Sequence, residues 1–269
     1  MVDATTPNNT TIPAEIPFAE FKNAFALRGK NMGCSVQLRG RVVLVAFLIN
    51  DGESHWDDES QKIFAECLKQ STNTLMDSSN LGREDLDIAY AYCQVTVPYP
   101  VEKRNSNRFV QDVLRQFGYE DVQSYQQHYE NKFARDEACV SFVFNKSFRS
   151  YAVSVSGTAA PEGENSAGNE YSIVAFNPKN PTDSQRTFIH ELMHQFGAVD
   201  LYYPERVKIE AQQYLPGSIM NGGSNIDDLT RYVIGWTDDL SQNAQAFLRT
   251  VSKISPAEIA AAARAQWQD

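Results

Sequence analysis

The segment His190-Glu191-Leu192-Met193-His194-Gln195-Phe196-Gly197-Ala198-Val199-Asp200 brings together two of the chain's four histidines and two carboxylates. Residues four apart share one face of a helix, so the imidazoles of His190 and His194 can converge on a single metal ion. Glu191 stands beside them, placed to hold a metal-bound water rather than to ligate. Gly197 lets the backbone leave the helix, and Asp200 then returns towards the same ion. A catalytic zinc takes three protein ligands and leaves one position for water. The pKa of that water falls from 15.7 towards roughly 7 on binding. Glu191 would take its proton, aim the nucleophile at a carbonyl and pass the proton to the leaving amine. An HExxH alone also arises on surface helices carrying two solvated histidines. The glycine and aspartate at their spacing separate a metal site from that reading.

A helix is needed to hold these groups, and its signals are present. Pro181-Thr182-Asp183-Ser184 offers capping oxygens, with Gln185 completing a capping box from Thr182. Phe188, Leu192 and Phe196 form an apolar stripe for the core, which leaves His190 and His194 facing a cleft. Gly197 stands where a helix C-terminus favours glycine.

A second motif follows, Pro216-Gly217-Ser218-Ile219-Met220-Asn221-Gly222-Gly223. HExxHxxGxxDLY followed by SIMNGG resembles the metzincin clan of zinc metallopeptidases. Within it the chain is most similar to immune inhibitor A-type peptidases, and it shares the third-position aspartate with snapalysin-like enzymes. The resemblance implies His190 and His194 as helix ligands, Glu191 as general base, Gly197 as the turn and Met220 as the methionine of the Met-turn beneath the metal. Met220 also reads as an ordinary gap-filling core residue. Arg231-Tyr232-Val233-Ile234-Gly235-Trp236 resembles the helix and Gly-Trp after that turn, so the resemblance runs from about Tyr171 to Leu240.

The chain departs from most metzincins at Asp200, where they place a third histidine. A carboxylate is an acceptable zinc ligand, so Asp200 is the expected third one. The alternative has Asp200 orienting a histidine while Glu205, Glu210, Asp227 or Asp228 ligates. No tyrosine follows the Met-turn directly. Tyr202, Tyr203 and Tyr232 are the candidate oxyanion donors, though each reads better as a packing aromatic.

Composition agrees with one catalytic domain. The 269 residues are 42% hydrophobic and carry a net charge of −10, which argues against nucleic-acid or anionic-membrane partners. No apolar run is long enough to cross a bilayer. The expected partner is a protein or peptide substrate, and the expected state a monomer. Met1–Pro17 reads as a flexible polar segment. Residues 18–269 read as a single domain whose N-terminal part ends near Gly197, with a smaller part over 198–269. The terminus lacks the lettering of a signal peptide, whereas the resemblance implies a secreted or cell-surface enzyme.

Along the chain, Val42–Ile49 predicts a buried strand and Asp57 opens a helix through Ile63, Phe64, Cys67 and Leu68. Asp87–Val97 predicts a second strand, Asn107–Phe117 a helix with Phe117 on its inner face, and Asp121–Phe133 a more polar helix. Cys139–Phe144 and Tyr151–Val155 predict a strand pair turning at Asn145-Lys146-Ser147. Gly157–Asn169 is a surface loop, and Ser255-Pro256-Ala257-Glu258 opens a terminal helix. The resemblance makes Tyr171–Phe176 an edge strand, with Ser172, Ile173, Val174 and Ala175 receiving an extended peptide. The fold class implied is α+β and metzincin-like: a mixed twisted sheet with an antiparallel edge strand, an active-site helix and a smaller C-terminal part.

The remaining candidates favour plain readings. His55 and His128 read as solvated. The pairs Asp57/Asp58, Asp227/Asp228 and Asp238/Asp239 lack the spacing of a calcium loop, so Ca2+ is not predicted and capping is the better reading. Cys67, Cys93 and Cys139 read as free thiols in core elements, and Cys34 precedes the first strand in letters unlike an inhibitory thiolate. Beside a zinc-dependent endopeptidase, two readings stay open. An exopeptidase would show a cleft closed by a loop such as Gly157–Asn169. A zinc-retaining, non-catalytic module would show a buried cleft or a displaced Glu191 carboxylate.

Overall fold

A computed structural model describes residues 35–81, 85–102, 106–153 and 170–254. Met1–Pro17, Cys34, the expected loop over Gly157–Asn169 and the expected helix from Ser255 lie outside them.

Strand β1 (Gly40–Asn50) is buried continuously from Val42 to Ile49, as its unbroken apolar run requires. It is flanked on both sides by parallel partners, β2 (Leu86–Thr96) and β3 (Glu137–Phe144). The sheet continues through β5 (Tyr171–Ala175), parallel to β3, and ends in the short antiparallel β4 (Tyr151–Val153). Its order is β2-β1-β3-β5-β4. Seven α-helices accompany it among the described residues: α1 (Asp58–Ser79), α2 (Ser106–Arg115), α3 (Val122–Phe133), α4 (Pro181–Gln195), α5 (Glu205–Tyr214), α6 (Asp228–Val233) and α7 (Gln242–Val251). The result is a mixed α/β arrangement on a five-stranded mixed sheet. None of the described helices is long and apolar enough to cross a membrane.

Alternation along the strands sends side chains to two cores. Val43, Val45, Phe47 and Ile49 join Val140, Phe142 and Phe144 beneath α2 and α3. Val42, Leu44, Ala46 and Leu48 join Cys139, Val143 and Val174 beneath α1, α4 and the C-terminal helices. Parallel strands need long crossovers, and α1 supplies the one between β1 and β2. As expected, Asp57 caps α1, its carboxylate accepting from Ser60 N at 2.8 Å.

Three expectations are corrected. β3 and β4 do not pair. β3 is almost entirely buried and lies between two parallel neighbours, as a continuous apolar run does, while β4 pairs with β5 instead. For the same reason Tyr171–Phe176 is not the edge: Ser172 and Ile173 face Ala152 and Tyr151 of β4, which is the outer strand. Helix α4 is capped by Asn180 rather than Thr182, with Pro181 at a first-turn position where its missing N–H costs nothing. Gln185 is thereby released from a capping role and donates to Thr74 Oγ1 on α1 at 3.0 Å.

Smaller differences follow from packing. The polar-looking α3 buries Val122, Tyr125 and Gln126. Phe117 is 39% exposed, though its ring lies 5.2 Å from that of Phe47. Cys67 and Cys139 are buried, and burial pushes the Cys67 thiol up to about 11.

Candidate metal site

Helix α4 packs on α1 and β5 through Phe188, Ile189, Leu192 and Met193, all buried. That fixes its rotation and leaves His190 and His194 on the remaining face, with side chains 14% and 15% exposed. The helix ends as the glycine anticipates: Gly197 has φ +91°, and Ala198 N donates back to Met193 O at 3.1 Å. The chain then turns Asp200 onto the two imidazoles.

Three atoms converge there. His190 Nε2 and His194 Nε2 are 3.2 Å apart, and Asp200 Oδ1 lies 3.1 Å from the first and 3.2 Å from the second. The opposite ring nitrogens are committed elsewhere. His190 Nδ1 meets the carbonyl of Ile219 at 3.0 Å, and His194 Nδ1 that of Ala198 at 2.8 Å. A carbonyl can only accept, so each Nδ1 carries its hydrogen and donates it. The Nε2 lone pairs therefore face one another and a carboxylate oxygen. Three acceptors in contact are stable only around a positive charge. Tetrahedral ligands about 2.1 Å from one zinc would lie roughly 3.4 Å apart, close to the spacing found.

Electrostatics gives the same picture with a proton in that place. Burial would lower His194, but Asp200 and Glu191 outweigh it and push its pKa up to about 9. Burial would raise Asp200, but the two imidazoles hold it well below the ordinary carboxylate range. A metal binding here displaces a proton.

Glu191 is 5% exposed, and a carboxylate oxygen of it lies within 4.8 Å of a ring nitrogen of His190 and of His194. Burial raises its pKa against the opposing pull of His194 and His190. Its Oε2 is buried without a hydrogen-bond partner. An orphaned carboxylate oxygen beside a cluster of lone pairs suits a water held between them.

The other acids are elsewhere. Asp227 caps α6, Glu205 pairs with Lys208 on the surface, and Asp228 is exposed in the first turn of α6. Met220 is fully buried in a 3-10 turn, Ile219–Asn221, that packs against α4. The turn closes tightly: a Cβ on Gly223 would meet Gly217 O at 2.0 Å. Its Met220 carbonyl accepts from Leu201 N at 2.7 Å, next to Asp200. Tyr202 stacks on His190, with ring centroids 6.3 Å apart and planes at 25°. Burial and the Asp200 charge raise its pKa. Tyr203 packs on Tyr202, burial and Asp200 pushing its hydroxyl up to about 12. Tyr232 is a buried core residue.

The strand residues expected to take substrate are not open. Ser172, Ile173 and Val174 are buried, and Ser172 Oγ meets Ser141 Oγ at 2.8 Å and Gln195 Nε2 at 3.3 Å. Ala175 N donates to Ser150 Oγ at 2.9 Å.

Two contributors escaped the sequence reading. Arg149, from the loop before β4, donates to the Tyr202 hydroxyl at 3.3 Å, and nothing in its neighbours' letters marks it. Gln195 fastens the end of α4 to the sheet through Val140 O and Ser172. Serines at 141 and 172 in otherwise apolar strands were a readable signal for that network.

No protein-family model matches the sequence, and no curated protein does. Among solved structures, the chain is similar to a crystal structure of a zinc-dependent peptidase from Methanocorpusculum labreanum. The identity is 10%, covering 76% of this chain and 99% of that one, with a TM-score of 0.32. A likeness that loose carries no argument about this chain.

Proposed function

We propose that the chain is a zinc-dependent endopeptidase in which His190, His194 and Asp200 hold the metal and Glu191 is the general base. The observation that carries this reading is the convergence of three acceptor atoms within 3.1–3.2 Å beside a buried, unpartnered carboxylate oxygen. Zinc, when bound, supplies a Lewis acid that polarises the scissile carbonyl and lowers the pKa of water. Glu191 Oε2 accepts the proton of the attacking water and returns it to the leaving nitrogen. Its burial disfavours the charged form, which strengthens it as a base. Of the three tyrosines, Tyr202 is best placed to donate to the carbonyl oxygen, since it lies on His190 and is held by Arg149.

Substrate strand addition moves from β5 to β4, whose outer side ends the described sheet. The bound peptide would run along β4 as a further strand. A protein or peptide substrate, a monomeric enzyme and export from the cell complete the proposal, the last resting on the metzincin resemblance. A closed structural zinc site uses four protein ligands. Three converging ligands with partly exposed imidazoles, and a Glu191 that stays beside them, favour catalysis over a non-catalytic module.

The test is cleavage of unfolded casein by zinc-loaded protein beside Glu191→Gln. Wild-type cleavage should fall about 10²–10⁴-fold in the variant, with zinc still bound. Equal cleavage by both, or a wild type that binds no zinc, would overturn the reading.

A further inference from the structure

Asp227 lies far from the metal-binding face in sequence and touches none of its side chains, yet a continuous path of hydrogen bonds links the two. Its Oδ2 accepts from Ser218 Oγ at 2.6 Å and from Thr230 Oγ1 at 2.7 Å. Its Oδ1 accepts from Leu229 N and Thr230 N, both at 3.0 Å. Because Ser218 gives its only hydrogen to the carboxylate, its lone pairs are turned to Met220 N, which donates at 3.1 Å. That N–H and the Ile219 carbonyl belong to one peptide group, and the carbonyl accepts from His190 Nδ1. The path runs from carboxylate to hydroxyl, through a peptide unit, to an imidazole.

The geometry points to Asp227 as a positioning residue for the metal site, acting on His190 through Ser218 and the Ile219–Met220 peptide. It rests on the zinc reading above and extends it beyond the residues that touch the ion. Two physical effects follow. Hydrogen bonds in series polarise one another, so a full negative charge at one end makes the Ile219 carbonyl a stronger acceptor. The His190 ring then becomes more electron-rich at Nε2, as when a ligating histidine donates directly to a carboxylate. The carboxylate also pins the turn whose next carbonyl holds Leu201 N, so the segment bearing Asp200 is fixed by the same anchor. His194, by contrast, donates to Ala198 O at the end of its own helix.

A structural cap gives the control. Asp57 accepts from Ser60 N and Ser60 Oγ in a similar way but opens α1. Zinc affinity of the full chain would be measured by competition with a chromophoric chelator for wild type, Asp227→Asn, Ser218→Ala, Ser218→Thr and Asp57→Asn. The His190 Nδ1 proton resonance would be followed in each. Asp227→Asn and Ser218→Ala should weaken zinc about 10–100-fold and shift the His190 proton upfield, leaving that of His194 in place. Ser218→Thr should restore both, and Asp57→Asn should change neither. Should Asp227→Asn not fold, Ser218→Ala carries the test, because it breaks the path and leaves the backbone bonds to Asp227. Wild type that binds zinc with unchanged variants sinks this inference alone. The same follows if Asp57→Asn loses as much affinity. Wild type that binds no zinc sinks the zinc reading and this one with it.

Discussion

The two faces of the sheet are built to different specifications. Beneath α2 and α3 the core is closed by aromatic rings: Phe47 lies 5.3 Å from Phe142 and 5.3 Å from Tyr125, and Phe109 lies 5.3 Å from Phe142. Beneath α4 the same strands present Ser141 and Ser172 to Gln195, and the helix above carries Glu191 with an unpartnered oxygen. One face gains stability from close-packed rings. The other accepts buried polar groups, which cost free energy unless satisfied. Both faces carry a ring-closed core, since under α1 and α4 Trp56 lies 5.4 Å from Phe176 and 5.6 Å from Phe64, but the candidate metal site belongs to one face only, and that division can be tested.

The largest effect should come from a double dissociation. Glu191→Gln removes the base but also a buried charge, so cleavage collapses while thermal stability holds or rises slightly. Phe142→Ala should do the reverse, costing about 3–5 kcal/mol of unfolding free energy while the folded fraction binds zinc with wild-type affinity. Chemical denaturation alongside zinc titration reads both. A Phe142→Ala protein with damaged zinc affinity would show that the faces are coupled.

Next in size is removal of the metal. Zinc at a hundredfold excess over its dissociation constant should add about 2.7 kcal/mol of stability to wild type and to Phe142→Ala. In His190→Ala the gain should vanish, which calorimetry with and without chelator would show.

The smallest effect concerns neither face but the loops at one end of the sheet. Asp51 is buried and paired with Lys146, and it accepts from the backbone of Glu53, Ser54 and Val101. Burial would raise its pKa, yet Lys146 and these donors hold it below the ordinary 3.8. With a folded pKa below the unfolded one, its stabilisation is complete above about 3.8 and is lost as pH falls through the lower folded value. Lys146→Met should cost about 1.5–2 kcal/mol at neutral pH and flatten that acid limb. A pH series of urea melts would decide it, and an unchanged limb would remove Asp51 from the account.

What was legible in the letters was local. The buried run of β1, the Asp57 cap and the residues of the HExxHxxGxxD segment depend on neighbours a few positions away, and they stand where expected. Strand order was not legible. A strand's letters record burial on its faces, but which strand lies beside it depends on crossovers elsewhere, and the resemblance that makes β5 the edge does not account for β4, which occupies it. Asn180 and Thr182 are both good capping residues, and only the placement of Pro181 in the first turn separates them. Arg149 was not legible at all, and Asp227 was legible as a cap or an alternative ligand but not in the positioning role proposed for it, for a further reason. Each meets the site through partners that are distant in the chain or through backbone groups, which carry no side-chain signature.

The distance along the chain between His190 and the carbonyl that grips it has a consequence in time. They are 29 positions apart, which a ribosome working at about 5–20 residues per second crosses in roughly 1.5–6 s. From Asp200 onwards in that interval the growing polypeptide carries both histidines and Asp200, but not the peptide group that orients the first of them. The site is thus completed only after the described strands of the sheet have all been made. A chain broken off before the turn would keep every metal-binding letter and lack the grip that aligns them.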